Sequence, residues 1–292
     1  MIHQIGTRRF DFTREVVVMA IINRTPDSFH DAGSTFALKT AVTRAVQAAD
    51  IGAGWVDVGG VPFGRGVQVS TEAEIERVVP LITAIATRRP DVVISVDTHK
   101  ADVARAAVDA GASVVNDTSG LADPKMAAVV AETGAHIVIT HSVGPPRQEK
   151  PAAHFADVVA EVRRFLLERV DRAEAAGIPR DRIIVDPGHD LDKNTLHSLE
   201  ITRRLTEFAS LGLPLLVAVS HKDFIGEAID RPRGELLAGT LAAMTACIWQ
   251  GARIVRMHDI QAAVDAARMT AAMLGMRPPA RLAHNTHPTR NV

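Results

Sequence analysis

Nine polar residues lie in or at the ends of runs of branched apolar residues: Asn23, Asp57, Asp97, Asn116, His141, Asp186, Lys222, Arg256 and His258. Asp97, Asn116, Asp186 and Lys222 offer acceptors and donors suited to a flat, nitrogen-rich heterocycle, because a carboxylate can take two parallel N–H bonds from an amino-pyrimidinone edge. Arg256 and His258 are two apart on one expected strand, so they point the same way and make a local anion site. Lys222 could instead form a Schiff base. Protein-only metal catalysis is disfavoured, since no His-x-His ends the first strand and no set of cysteine ligands exists. Any one polar residue at a strand end is often just a cap or turn former, and it is the convergence of nine that points to a site. Asp57, inside its run, is expected to brace neighbours, and Asp117 and Asp259 to cap the helices that follow them.

These residues need strands to carry them. Ile183-Ile184-Val185-Asp186-Pro187-Gly188 sets the pattern: an apolar run without alternation, as in a strand covered on both faces, then a carboxylate, a proline that cannot donate and a glycine. Similar runs cover Val16–Asn23, Trp55–Gly60, Val92–Thr98, Val114–Ser119, His136–Ser142, Leu215–Lys222 and Arg253–Asp259. Helical spacing fills the intervals: Ile75, Val78, Ile82 and Ile85; Val159, Val162, Leu166 and Val170; Leu237, Leu241, Met244 and Ile248. Thr71 and Glu74 read as a capping box, and Asp123-Pro124 as a cap before a first-turn proline. Gly52, Gly111, Gly134, Gly177, Gly212 and Gly251 fit left-handed helix ends.

Eight strand–helix units close most simply into a (β/α)₈ TIM barrel, which would gather all the strand ends at one mouth. A doubly wound open sheet is the rival. A short N-terminal strand or hairpin around Phe10 and Phe12 is expected ahead of the barrel. Residues 1–276 are expected to form a single domain and 277–292 a mobile tail.

The composition narrows the partners. In 292 residues, 33 Lys+Arg against 34 Asp+Glu leave a net charge of -1, so no global field draws nucleic acid or anionic membrane. The early apolar run is too short to span a bilayer and no targeting segment precedes it, so a cytoplasmic protein is expected. Cys247 is the single cysteine, which excludes an internal disulfide and reads as packing. The seventh helix is apolar nearly all round, Leu236, Ala243 and Cys247 adding to its stripe, so a homodimer covering it is expected.

Several motifs in order, from about Val16 to Gly275, resemble the dihydropteroate synthases, and more closely the divergent second copies of that enzyme in some actinobacteria. They are Asn23-Arg24-Thr25-Pro26-Asp27-Ser28-Phe29 with Asp31-Ala32-Gly33, Ser95-Val96-Asp97-Thr98, Val115-Asn116-Asp117, Asp186-Pro187-Gly188, Ser220-x-Lys222 and Arg256-x-His258-Asp259. The resemblance implies a barrel transferase that joins a dihydropterin-methyl diphosphate to 4-aminobenzoate and expels diphosphate. It implies pterin-binding roles for Asp97, Asn116, Asp186 and Lys222, and diphosphate-binding roles for Asn23, Arg256 and His258. It also implies Mg²⁺ at Asn23, and catalytic roles for Asp97, Lys222, Arg256 and His258.

The departures cluster on the second substrate, whose region by resemblance includes Arg65, Leu191, Ser220 and His221. Where the family typically reads Gly-Gly-Glu-Ser-Thr-Arg-Pro-Gly, this chain reads Gly59-Gly60-Val61-Pro62-Phe63-Gly64-Arg65-Gly66. Gly-Phe-x-Lys becomes Asp190-Leu191-Asp192-Lys193, and the arginine of Ser-Arg-Lys becomes His221. Three expectations follow: a synthase with altered loops, a pterin-binding paralogue with condensation reduced or lost, or a pterin-dependent methyltransferase needing a corrinoid partner. Lys222 and the first-loop motif favour the synthase lineage over the last.

Overall fold

The computed structural model describes residues 2–24, 38–62, 64, 66–144, 146–148 and 153–284. All eight expected strands form, as β3 (Val17–Asn23), β4 (Trp55–Gly59), β5 (Val93–Asp97), β6 (Val114–Asp117), β7 (His136–Thr140), β8 (Ile183–Asp186), β9 (Leu216–Val217) and β10 (Ile254–Met257). They are parallel and follow the order β8-β7-β6-β5-β4-β3-β10-β9. A parallel bridge between Val185 and Leu215 joins the first of these to the last, so the sheet closes as a TIM-like barrel rather than opening as a doubly wound sheet.

The helices outside it are α1 (Leu38–Ile51), α2 (Thr71–Arg88), α3 (Ala101–Asp109), α4 (Met126–Thr133), α5 (Val158–Ala175), α6 (Thr195–Arg203), α7 (Thr206–Ala209), α8 (Asp223–Ile229), α9 (Leu237–Trp249) and α10 (Ile260–Met273). Each strand presents alternate residues to the barrel interior, and the others pack under the helices. The six glycines expected at helix ends all have positive φ.

The expected hairpin is present: β1 (Ile2–Ile5) pairs antiparallel with β2 (Arg8–Asp11). Its Ile5 and Phe10, with Phe12, form one apolar cluster with Val17, Met19, Trp55, Val93, Val114, Val138, Ile184, Leu216 and Ile254. The members come from all eight strands, so the cluster is the lower filling of the barrel and the hairpin is its plug. Phe10 stacks on Phe12 and meets Trp55 edge-on, each at 5.8 Å. Above this layer the inward positions become Asp57, Ser95, Asn116, Thr140, Asp186 and Arg256, so the interior is dry below and polar at the mouth.

Several local expectations need correction. Ser70, not Thr71, caps α2 by accepting from the Ala73 N–H, while Glu74 is fully buried against Lys100 and Thr98. Asp123 caps no helix of its own: α4 begins at Met126, and the Asp123 carboxylate takes the Lys125 N–H and the Ala101 N–H that starts α3. Asp117 holds the loop after β6 through Ser119 and Leu121, because that helix starts nine residues later. Asp259 occupies the position before α10 without bonding its N–H groups, being engaged by His221 instead. On α9 the buried stripe is Thr240, Met244, Cys247 and Ile248, rotated from the one expected, so Leu237 is 40% exposed and Cys247 fully buried. The thiol then acts as a small apolar group, which tertiary packing accepts in place of a leucine. Residues 277–284 form neither helix nor strand, and the rest of the expected tail lies outside the described residues.

Removing the plug's largest ring should be costly. Phe10→Ala is expected to destabilise the fold by about 3 to 5 kcal/mol in urea titration, as for other fully buried aromatics. A loss under about 1 kcal/mol would show the hairpin to be an ornament rather than part of the core.

Candidate active site

Arg256 reaches across the barrel from β10. Its Nε donates to Asp57 on β4 at 2.6 Å and its Nη2 to Asp97 on β5 at 2.8 Å. Asp57 Oδ2 also accepts the Asn116 amide from β6 at 3.1 Å, so four inward residues on four strands form one network. Asp57 therefore braces the site, as its position inside a strand suggested. Burial drives Asp97 up to about 7; Arg256 opposes the shift, while Asp57, Glu74 and Asp117 add to it. Burial works against the charge of Arg256 too, yet Asp57 and Asp97 hold it above its ordinary value.

Asp186 ends β8 with 4% exposure, and its Oδ1 accepts the Gly188 N–H at 2.7 Å. Gly188 has φ +69 and lies so close to the His141 carbonyl that an added Cβ would sit 2.1 Å from that oxygen, so this turn requires glycine. Burial pushes Asp186 up to about 6, against the Gly188 N–H, Lys222, Lys193 and Arg256. Asn116 Oδ1 is buried and accepts no hydrogen bond among the described residues. Burial lowers the Lys222 ammonium, with Asp190 the leading carboxylate that restores it. An orphaned buried acceptor and a buried carboxylate are groups that a donor-rich ligand edge would satisfy.

His258 Nδ1 lies 3.0 Å from Ser220 Oγ, which also accepts the His258 N–H at 3.2 Å. His221, at φ +53, meets Asp259 through Nε2 at 2.5 Å and packs edge-on against His258 at 5.5 Å. Leu191 is buried. Asp190 accepts the Ser198 hydroxyl and the Phe224 N–H at the start of α8, and Asp192 accepts the Val143 N–H. His141 turns out of the barrel, edge-on to Phe165, and burial drops it to about 2. It belongs to packing rather than the mouth. Arg65 and the first-loop residues Thr25–Phe29 lie outside the described residues.

Two residues escaped the sequence reading as contributors. Lys193 is 7% exposed and donates to the carbonyls of His141, Gly188 and Leu191, tying the ends of β7 and β8 together. Glu74, with Lys100 and Thr98, anchors the start of α2 to the end of β5. Lys193 enters the sequence reading only as the lysine that matches the family's Gly-Phe-x-Lys, without a partner.

A magnesium ion has a partial fit. Among the described residues no three His, Cys, Asp or Glu side chains converge on one point. Asn23, at the inner end of β3, supplies a neutral hard oxygen, and its Oδ1 lies where a Cβ on Gly59 would be 3.0 Å away. That donor set suits a cation that takes its remaining ligands from water and a bound diphosphate, as magnesium commonly does.

The profile of the family described as pterin binding enzyme matches residues 19–258. The chain is 42% identical over 270 residues to a Mycobacterium leprae protein named inactive dihydropteroate synthase 2, spanning 91% of this chain and 93% of that one. It is 40% identical over 261 residues to the dihydropteroate synthase of Escherichia coli K12, spanning 89% and 92%. This chain belongs to the dihydropteroate synthase family. The Xanthomonas albilineans dihydropteroate synthase, solved with 4-aminobenzoic acid, superimposes with a TM-score of 0.86 at 36% identity, covering 94% of this chain and 98% of that one. This chain's relatives in the dihydropteroate synthase family thus include proteins named synthase and proteins named inactive synthase. Among the described residues no helix is long and apolar enough to cross a membrane.

Asp186 gives the site a pH signature. Its value in the fold, about 6, exceeds that of an unfolded carboxylate, so its protonated form favours the fold. That contribution is complete below about pH 4 and is lost as pH rises through about 6. Asp186→Asn should therefore flatten the stability profile between about pH 4 and 6, by on the order of 2 kcal/mol. Parallel wild-type and variant profiles in denaturant titrations would contradict the assignment.

Proposed function

We propose that this protein binds a dihydropterin-methyl diphosphate at the barrel mouth and releases diphosphate as a dihydropteroate synthase does, but condenses 4-aminobenzoate poorly. The observation that carries the reading is the contrast between two halves of the site. Asp186, Asn116, Asp97 and Arg256 stand in barrel strands with acceptors and donors aimed inward, and Lys222, beyond β9, joins them from the residue that starts α8. The segment after β8 instead carries two carboxylates fixed by backbone N–H groups, at Asp190 and Asp192, where an anionic second substrate would pass. Like charge at that place acts against the carboxylate of aminobenzoate.

In this reading the Asp186 carboxylate and Asn116 Oδ1 take the amino edge of the pterin, and Lys222 donates to its carbonyl side. Cleavage of the carbon–oxygen bond leaves positive charge on the pterin and negative charge on the departing diphosphate. Asp97, with its burial and its guanidinium partner, is set to stabilise the first. Arg256 and His258 face the second, and Asn23 would hold a magnesium ion whose chemistry is to neutralise phosphate charge. The arylamine nitrogen then attacks a cation without needing a strong base. Ser220 orients His258 through the bond at its Nδ1. Where the family has an arginine this chain has His221, whose Nε2 is already engaged by the Asp259 carboxylate.

Changing Asp186 to Asn presents an N–H to a ligand N–H, and the expected cost in pterin diphosphate affinity is about 2 to 4 kcal/mol by calorimetry. Steady-state assay with the pterin diphosphate, Mg²⁺ and aminobenzoate should give turnover about a hundredfold below an ordinary synthase, the result of losing two contacts of about 1.5 to 3 kcal/mol each. Turnover of a few per second would show that the altered loops are functional substitutes, and unchanged affinity in the folded Asp186→Asn protein would remove the pterin site.

A homodimer is part of the same proposal. Between Leu237 and Trp249, α9 has no charged residue, and Trp249 is 56% exposed beside α10, where Met269 and Met273 are 59% and 50% exposed. A second copy of the chain would cover this face. Trp249→Glu is expected to halve the light-scattering mass at micromolar concentration; a wild-type mass of one chain would refute the dimer. The buried Cys247 thiol, pushed up to about 12 by burial, fits a cytoplasmic protein without disulfides.

A further inference from the structure

A cavity of about 440 Å³ opens at the end of the barrel opposite the mouth, between β2, the start of β3, the turn after α1 and the last turns of α10. Its size is that of a small-molecule site. Val17, Val18, Val264 and Ala271 make an apolar wall, and Phe10 lies at its edge. Four arginines border it, Arg8, Arg14, Arg268 and Arg277, against one carboxylate, Glu15.

The carboxylates at hand are engaged elsewhere. Glu15 accepts the Asp11 N–H, and Asp11 accepts the Thr13 N–H and hydroxyl. None of the four guanidiniums has a carboxylate within ion-pair distance among the described residues, whereas Arg89, Arg204 and Arg233 on other faces are each paired. Arg8 instead lies over the Phe10 ring, 4.9 Å from its centroid, and donates to the Gly54 carbonyl. Arg268 extends over Gly52, where an added Cβ would lie 2.9 Å from its Nη2; Gly52, at φ +122, both turns the chain and leaves room for that guanidinium.

The helices α1 and α10 end at this face, and each C-terminus carries about half a negative charge. Glu15, Asp11 beside Arg14 and the two helix ends offset part of the four guanidinium charges, and Asp91, paired with Arg89, also feels Arg8, so the cavity keeps a smaller positive excess. Guanidiniums beside an apolar wall suit phosphate or carboxylate groups borne on a flat organic body, since the fork geometry binds oxyanions in pairs.

We propose that this lower cavity binds a small organic dianion with a flat apolar body, of which an aryl or nucleoside monophosphate is the simplest form. The site is separate from the mouth and does not depend on the pterin reading. Its occupant would touch β3, α1 and α10 together, the elements that join the two ends of the chain.

Calorimetry at low and physiological salt tests this with four probes: adenosine 5′-monophosphate, phenyl phosphate, adenosine and inorganic phosphate. Both monophosphate esters are expected to bind, with adenosine silent and inorganic phosphate at least tenfold weaker, and with affinity falling as salt rises. The exposed pair Arg14→Gln with Arg277→Gln should weaken the esters tenfold or more, while Asp186→Asn leaves them unchanged. The proposal is overturned if neither ester binds at millimolar concentration, if adenosine binds as well as its monophosphate, if the arginine variant binds as the parent does, or if Asp186→Asn abolishes binding.

Discussion

A single guanidinium holds two inward-facing carboxylates together inside this barrel. Arg256 bonds Asp57 and Asp97 at once, and Asp57 in turn fixes the Asn116 amide. Without that cation, two carboxylates would share a low-dielectric interior, a situation costing several kcal/mol that protonation alone relieves. The arrangement fixes which way β4, β5, β6 and β10 must turn, since a slip of one residue in any of them would carry its polar member out under the helices. It also leaves the interior polar at one end only, because the opposite end is filled by the hairpin, Phe12 and nine apolar side chains from the strands.

Function in this account divides along the same line as rigidity. Of the groups suited to a pterin and its leaving group, Asn23, Asp97, Asn116, Asp186 and Arg256 stand in barrel strands, while Lys222 and His258 lie beyond the ends of β9 and β10. The residues expected by resemblance to meet the second substrate lie in segments after β4, β8 and β9, where connecting chain can change sequence without disturbing the barrel. Asp190 illustrates the point: its carboxylate starts α8 and accepts from Ser198, so it has a structural task, yet its charge stands near Lys222. A family that includes proteins named synthase and proteins named inactive synthase on one fold is what such a division allows.

Much of this was legible in the chain. Unalternating apolar runs such as Ile183–Val185 marked strands covered on both faces, and all eight were found, because parallel barrels impose that pattern directly. The inward carboxylates Asp97 and Asp186 stood out for the same reason, each ending an apolar run, whereas His141 ended one and turned out of the barrel. What could not be read was partnership across strands. Asp57 looked like a minor brace, and its contacts to Asn116 and Arg256 span 59 and 199 residues of sequence. Lys193 stood out only as the lysine of a family motif; its partners did not, since they are backbone carbonyls, which carry no side-chain identity. The caps failed on a different ground: Thr71 and Asp123 fit local rules, but Glu74 and Asp123 gained more from buried tertiary contacts than from their own helices. The stripe of α9 rotated because small residues leave the phase of an alanine-rich helix weakly specified.

The central claim is that the inward set on β5, β6 and β8 is a preformed pterin site. A crystal structure with the bound dihydropterin-methyl diphosphate tests it most directly. The amino edge of the pterin is expected within hydrogen-bond distance of the Asp186 carboxylate and Asn116 Oδ1, with the diphosphate toward Asn23 and His258. A pterin bound elsewhere, with Asp186 bonded only to Gly188 and Asn116 Oδ1 still without a donor, would contradict it.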